Sequence, residues 1–77
     1  MRYEYDSEAD AAYVSINELP HAYSREIDET RIVDYAKDDT VIGVELLYVS
    51  SSVDVSDLPF ASEIGKLLQE HKVRVFA

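Results

Sequence analysis

Apolar residues recur at every second position in several short runs of this chain, and this period constrains its fold more than any other feature. Ala12, Val14 and Ile16 alternate with Tyr13, Ser15 and Asn17. Successive side chains of a β-strand point to opposite faces, so such a run predicts a strand with one buried face. Similar alternation at about residues 2–5 predicts another strand. The runs at about residues 22–27 and 31–35, each bounded by turn-forming residues, add two further strands to the prediction.

The most apolar run covers residues 40–49, and it is apolar on both of its faces. That pattern is typical of a central strand that is covered on one side. Short polar segments at 28–30 and 37–39 separate the last three runs and favour tight turns. We therefore predict an antiparallel β-meander of about five strands over residues 2–50.

A change to helical spacing follows the predicted sheet. Phe60, Ile64 and Leu68 are four residues apart and would lie on one face of a helix. Asp57 is a good N-cap residue, so the spacing predicts one C-terminal helix at about 57–71, packed on one face of the sheet. The fold class is therefore α+β.

The remaining tail, residues 72–77, alternates again and predicts a short last strand. This strand could pair within the chain or with a second subunit, because an exposed strand edge is a template for another chain. The whole chain has 77 residues, too few for two hydrophobic cores, so residues 1–77 form a single domain.

The chain is strongly acidic, with sixteen Asp and Glu against seven Lys and Arg and a net charge of −9. Residues 1–40 hold most of the excess. Such a surface repels phosphate backbones and anionic lipid, so we expect neither direct nucleic-acid binding nor a membrane role. The charge suits solubility or a basic protein partner. With no long apolar run and no signal peptide, we expect a cytoplasmic protein.

The chain has no cysteine, which removes disulfides, thiolate ligands and thiol nucleophiles. A domain this small, without covalent cross-links, needs close packing or oligomerisation to be stable. We therefore expect a homodimer or a larger homo-oligomer.

Four blocks of the sequence resemble, in order and spacing, the Domain of Unknown Function 2283 family (DUF2283) of short prokaryotic proteins: Tyr5–Val14, Glu26–Asp28, Ile32–Tyr35 and Val41–Leu47. The resemblance covers about residues 3–50, and the fold it implies agrees with the strands predicted above. The C-terminal helix lies outside the resemblance and depends on its own periodicity.

The resemblance implies little about activity, since none is established for the family. Its members are often encoded beside small basic proteins that look like ribonuclease-type toxins, which implies an antitoxin role. Thr30 and Asp39 occupy positions where the family usually has a turn-closing glycine. A positive φ at these positions would suit Asp39 better than Thr30.

The acidic segment Asp6-x-Glu8-x-Asp10 has the spacing of the first ligands of a calcium loop. A calcium loop also needs glycine at its sixth position and glutamate at its twelfth, where this chain has Ala11 and Asn17. We therefore interpret the segment as a turn capped by its own side chains, and we predict neither metal nor cofactor.

Asp34 and Glu45 lie on neighbouring predicted strands and could fall close together. Carboxylates in such a position can form a structural hydrogen-bond network, with an arginine or a tyrosine hydroxyl as partner, or a general acid–base pair. We favour the network. The chain offers no glycine-rich loop and no strained serine turn, so we predict no catalytic residues and no enzyme.

Tyrosine is unusually frequent, with six residues that all fall in predicted strands. They could form ordinary cross-strand pairs, or they could contribute to an interface for a basic partner, since Tyr is enriched at binding hot spots. The candidate partner interface comprises Tyr3, Tyr5, Tyr13, Glu26, Asp28, Asp34, Tyr35 and Glu45.

The predicted function is thus that of a non-catalytic protein-interaction module, which could be the antitoxin of a toxin–antitoxin pair. The alternative is a stand-alone homo-oligomeric structural protein. In that alternative, Val73–Phe76 of the tail would complete a sheet shared between subunits.

Overall fold

A computed structural model describes all residues 1–77. Its elements in chain order are β1 (Arg2–Asp6), β2 (Ala11–Ser15), β3 (Tyr23–Asp28), β4 (Arg31–Tyr35), β5 (Val41–Leu47), a 3₁₀ turn (Val49–Ser51), β6 (Val53–Asp54), α1 (Ala61–Glu70) and β7 (Val75–Phe76). The α+β class, the five-stranded antiparallel sheet and the single C-terminal helix are confirmed. No helix is long and apolar enough to cross a bilayer.

The strands of the large sheet lie in the order β1-β2-β5-β4-β3, with antiparallel pairing throughout. β3, β4 and β5 form the predicted meander, and β5 is the central strand as expected. β2, however, lies beside β5 and not beside β3, so the five strands do not follow each other in chain order. In this arrangement Ala12 and Val14 lie opposite Leu46 and Val44, which makes the apolar side of β2 continuous with that of β5. β3, in which three of the six residues are charged, offers no such continuous apolar side.

The core lies between the sheet and α1. Its most deeply buried side chains come from three strands and the helix: Val14, Val33, Val44, Leu46, Ile64 and Leu68. These residues are nearly inaccessible to solvent. The helix covers this face of the sheet only, and the opposite face, called the open face below, carries no helix.

The helix begins at Ala61, and the predicted start at about residue 57 is wrong. Asp57 and Phe60 both have left-handed backbone angles, with φ of 64° and 55°. Leu58 between them is only 6% exposed and packs into the core. Because a residue with positive φ cannot continue a right-handed helix, the turn that buries Leu58 delays the helix start, and Asp57 is not the N-cap.

The central strand β5 ends at Leu47, two residues before the predicted end at residue 49. Tyr48 has a left-handed φ of 55°, and it is exposed. The prediction that all six tyrosines lie in strands is therefore wrong for Tyr48, because its backbone angle is incompatible with a strand.

The tail pairs within the chain. β7 runs parallel to β6, with Val53 opposite Val75. The N–H of Val53 donates to the carbonyl of Arg74 and the N–H of Val55 donates to that of Phe76, both at 2.8 Å. The two strands form a separate small sheet, so the tail does not extend the five-stranded one.

The two turns in which Thr30 and Asp39 replace the family's glycine have different backbone conformations. Asp39 has a left-handed φ of 69°, whereas Thr30 does not. At Thr30 the turn is closed by Asp28, whose Oδ1 accepts hydrogen bonds from the Thr30 N–H at 2.8 Å and hydroxyl at 2.9 Å. The hydrogen bonds of the Asp28 side chain stabilise this turn without a residue of positive φ, so glycine is not needed there.

Candidate functional site

The open face carries a continuous line of side chains across all five strands. Directly opposite neighbours in the sheet register are Glu4, Tyr13, Glu45, Ile32 and Glu26. The adjacent line along the same face consists of Arg2, Ser15, Gly43, Asp34 and Ser24. Because side chains alternate along each strand, residues next to these in sequence point to the core. The open face is therefore predominantly acidic, with a tyrosine near its centre.

Tyr13 lies flat across the central strand because Gly43 has no side chain. A Cβ atom at position 43 would lie only 2.0 Å from the Tyr13 hydroxyl oxygen. Glycine inside a strand is a known sign that another group approaches the backbone closely. The Tyr13 side chain therefore extends across β5 and reaches Asp34 on β4. Its hydroxyl donates a hydrogen bond to Asp34 Oδ2 at 3.1 Å.

Asp34 is the centre of a hydrogen-bond network on this face. Its Oδ1 accepts the Ser24 hydroxyl at 2.6 Å, and the Ser24 oxygen lies 2.8 Å from His21 Nε2. The Asp34 side chain is 15% exposed. The predicted structural network with a tyrosine hydroxyl is confirmed for Asp34, whereas Glu45 takes no part in it.

The same residues are not arranged as a nucleophilic triad. In a triad the histidine lies between serine and aspartate, so that the aspartate orients the imidazole. Here Ser24 lies between the other two, and His21 Nε2 is 3.7 Å from Asp34 Oδ1. The serine hydroxyl is held as a donor to a carboxylate and is not activated by a base.

The negative charge of the open face is evident at Tyr13. Burial of the ring, together with the hydrogen bond to Asp34 and the charges of Asp34 and Glu45, raises the pKa of Tyr13 to about 12. The hydroxyl therefore stays protonated at neutral pH and remains a hydrogen-bond donor.

The glutamates of the open face have few partners. Glu45 and Glu26 form no ion pair, and Glu4 has only Arg2, whose Nη2 lies 3.5 Å from its Oε1. Both members of that pair are largely exposed, so it contributes little to stability. These carboxylates are free to accept further hydrogen bonds.

The structure brings together only part of the candidate interface that the sequence indicated. Tyr13, Glu26, Asp34 and Glu45 lie on the open face. Tyr3, Tyr5, Asp28 and Tyr35 lie on the helix-covered side or its rim. Successive residues of a strand point to opposite faces, so Tyr3 and Tyr5 point away from the open face on which Glu4 lies. Asp28 and Tyr35 each follow a bulge, which changes the face to which a side chain points.

The second group is engaged in contacts within the chain. Tyr3 stacks on His71 with ring centroids 4.2 Å apart, and the Tyr5 hydroxyl donates to Asp10 at 2.9 Å. Tyr35 packs on the core and stacks on Tyr23 at 4.9 Å. The Tyr23–Tyr35 stack is an ordinary cross-strand pair, whereas Tyr3 and Tyr5 contact the end of the helix and the β1–β2 turn.

Arg31 is a buried cation whose role the sequence did not reveal. Its side chain, on a residue 5% exposed, donates to Asp28 Oδ2 from Nε at 3.0 Å and from Nη2 at 2.9 Å. Its Nη1 also donates to the carbonyl oxygens of Asp54 and Ser56. Arg31 therefore ties the β3–β4 turn to the segment that leads into the helix.

The acidic segment between β1 and β2 is a capped turn, as interpreted from the sequence. Asp6 Oδ1 accepts hydrogen bonds from the N–H groups of Glu8 at 3.0 Å and Ala9 at 3.4 Å. Asp10 accepts the Ser50 hydroxyl at 2.6 Å, and this bond is the main reason why the pKa of Asp10 is lowered. No group of three or more potential ligand side chains is placed to hold a metal ion.

These features define a small α+β protein whose antiparallel sheet has one face under a helix and one acidic face open. The chain belongs to the family described as Protein of unknown function (DUF2283), whose model matches residues 2–50. The match includes β1 to β5, and therefore the whole open face, and ends before α1. Searches of the curated proteins and of the solved structures gave no match.

Proposed function

We propose that this chain is a non-catalytic protein-interaction module that binds a basic protein on its open face. The observation that carries the proposal is a pair of glutamates without ion pairs on a sheet face that no helix covers. Glu45 lies directly opposite Tyr13, and Glu26 lies two strands further along the same line. A partner with arginine or lysine side chains can form charge-assisted hydrogen bonds with these carboxylates.

Tyr13 supports this function because its position is set before binding. The hydrogen bond to Asp34 and the close contact with Gly43 hold the ring in one orientation. An anchor that is already ordered loses little conformational entropy when the complex forms. Aromatic rings also attract arginine guanidinium groups, which is one reason why Tyr and Arg are frequent at hot spots.

The net charge of −9 favours fast association with a basic partner, since complementary charge steers the encounter of two proteins. The family resemblance suggests which partner this is. We propose an antitoxin that covers the basic site of a small ribonuclease-like toxin, acting in the cytoplasm without a cofactor and without direct contact with nucleic acid.

Co-expression with the product of the neighbouring gene tests the proposal. We expect co-purification and relief of toxicity with the wild-type chain, and loss of both with Glu45→Lys. Glu63→Lys, on the exposed helix surface, is the matched control with the same change of charge and should retain both. The absence of co-purification with the wild type, or an equal effect of the two variants, would contradict the proposal.

The alternative, a structural homo-oligomer whose tail completes a shared sheet, has less support from the contacts of the tail. β7 already pairs with β6 of the same chain. A chain that ends at Gln69 should therefore lose internal contacts without changing its oligomeric state, which light scattering can measure.

A further inference from the structure

The edge strand β1 has backbone groups that are free to pair with another chain. The N–H of Ile16 donates to the carbonyl of Ile42 at 2.8 Å, so even-numbered residues of β2 bond to β5 and odd-numbered ones bond to β1. In the observed register this turns the N–H and C=O groups of Tyr3 and Tyr5 away from the sheet. No backbone hydrogen bond outside the strands and the helix involves β1.

We propose that β1 pairs with β1 of a second copy of this chain, antiparallel and about a two-fold axis at Tyr3. Tyr3 then exchanges both backbone hydrogen bonds with its own symmetry mate. Tyr5 bonds to Met1 of the second copy in the same way. A two-fold dimer requires a surface that is complementary to itself, and this register meets that requirement.

The side chains of β1 match in this register. Arg2 lies opposite Glu4 of the second copy, and the same pair occurs a second time by symmetry. Arg2 and Glu4 are both on the open face, with side chains 72% and 64% exposed, and so are available for pairing between chains. Met1 and Tyr5, both exposed apolar residues, also come to lie opposite each other. Opposite charges and apolar pairs directly across a strand pair are stabilising.

Other pairings are less favourable. A two-fold axis at Glu4 would place two Glu4 carboxylates opposite each other, and like charges in that position are destabilising. The other edge strand, β3, has an irregular register between Glu26 and Asp28. A bulge of this kind is a common device that prevents an edge from pairing.

The dimer would form one continuous sheet from both chains. A two-fold axis perpendicular to the sheet preserves its faces, so the two open faces would lie side by side on the same surface. A small domain without disulfides also gains stability from such an association. This proposal is independent of the proposed function, because it can be tested without any partner protein.

The test is light scattering coupled to size-exclusion chromatography of the full chain over a range of concentrations. We expect the wild type at twice the mass of the chain. Arg2→Glu and Glu4→Arg each replace two attractive pairs by two repulsive ones, and should each weaken the dimer by about tenfold or more. An equimolar mixture of the two variants restores both attractive pairs and should recover the dimer mass.

Arg25→Glu on β3 is the matched control, with the same change of charge on the other edge, and should leave the dimer unchanged. Circular dichroism checks that each variant is folded. A monomeric wild type at all concentrations, a mixture that stays monomeric, or an equal effect of Arg25→Glu would each overturn the proposal. A dimer that fails to bind a basic protein would contradict only the proposed function.

Discussion

The two faces of the same sheet differ in what they do for the molecule. Along the central strand, Val44 and Leu46 point under the helix and are fully buried, while Gly43 and Glu45 alternate with them on the open face. Burial of apolar area is the main source of stability, so the helix-covered face stabilises the fold. The open face instead carries the hydrogen-bond network of Tyr13, Asp34 and Ser24 beside glutamates that have few partners.

The largest expected difference between the faces comes from truncating one apolar residue on each. Leu46→Ala leaves a cavity under α1 and should lower the free energy of unfolding by about 2–5 kcal/mol. Ile32→Ala, on the half-buried open face, should cost about 1 kcal/mol because less apolar area is lost. Urea denaturation measures both. An equal loss of unfolding free energy for Ile32→Ala and Leu46→Ala would show that the open face is covered in solution.

The two glycines should respond in opposite directions to alanine. Gly43→Ala pushes against the Tyr13 ring and should destabilise the fold by about 1–3 kcal/mol. At Gly65, an added Cβ meets no atom within 4 Å, so Gly65→Ala should stabilise the helix by up to about 1 kcal/mol. Repeating Gly43→Ala in a Tyr13→Val background should remove most of its cost, and a cost that persists would contradict the proposed contact.

A smaller effect is expected from removing the tyrosine hydroxyl on the open face. Tyr13→Phe deletes the hydrogen bond to Asp34 and should cost about 0.5–1.5 kcal/mol of unfolding free energy. Tyr48→Phe is the control, since the Tyr48 hydroxyl makes no side-chain hydrogen bond and is exposed. Ultraviolet titration should show that Tyr13→Phe removes the tyrosine that ionises near pH 12.

The last prediction concerns pH and the other face. The hydrogen bonds from Arg31 and then Thr30 lower the pKa of Asp28 to about 2, below its ordinary value of 3.8. A lowered pKa in the folded state stabilises the fold above the unfolded value, and this contribution is lost as the pH falls from about 3.8 to about 2. Asp28→Asn should flatten the fall of stability in that window.

Denaturant titrations between pH 5 and pH 2 measure this slope, with Glu29→Gln as the control, because Glu29 makes no ion pair. The bonds of Asp10, Asp38 and Asp54 lower the pKa of each as well, so only the difference between the two variants isolates Asp28. Identical slopes for Asp28→Asn and Glu29→Gln would show that the Arg31 pair does not form in solution.

Local patterns allowed much of this to be predicted. The two-residue alternation located β2 and placed Tyr13 on the face opposite Ala12 and Val14, as the structure confirms. Side-chain direction in a strand depends only on neighbouring residues, so it can be read without knowing the fold. The spacing of Ile64 and Leu68 predicted the helix correctly for the same reason, although the predicted first turn at about residue 57 was wrong.

Contacts between distant parts of the chain could not be predicted in this way. The pairing of β2 with β5 brings Tyr13 beside Gly43. The segment that leads into the helix brings the carbonyl groups of Asp54 and Ser56 to Arg31. A glycine inside an apolar strand was the only local sign of the first contact. Nothing in the neighbourhood of Arg31 distinguished it from an exposed arginine.

The sequence alone therefore determined the fold class, the five strands of the large sheet, the acidic character and the absence of cysteine chemistry, because these follow from residue types and short-range patterns. Only the tertiary structure decided the strand order, the burial of Arg31 and the division of the candidate residues between two faces. The physical reason is that strand order depends on which apolar faces become continuous when strands far apart in the chain meet. That same choice left one acidic face of the sheet uncovered.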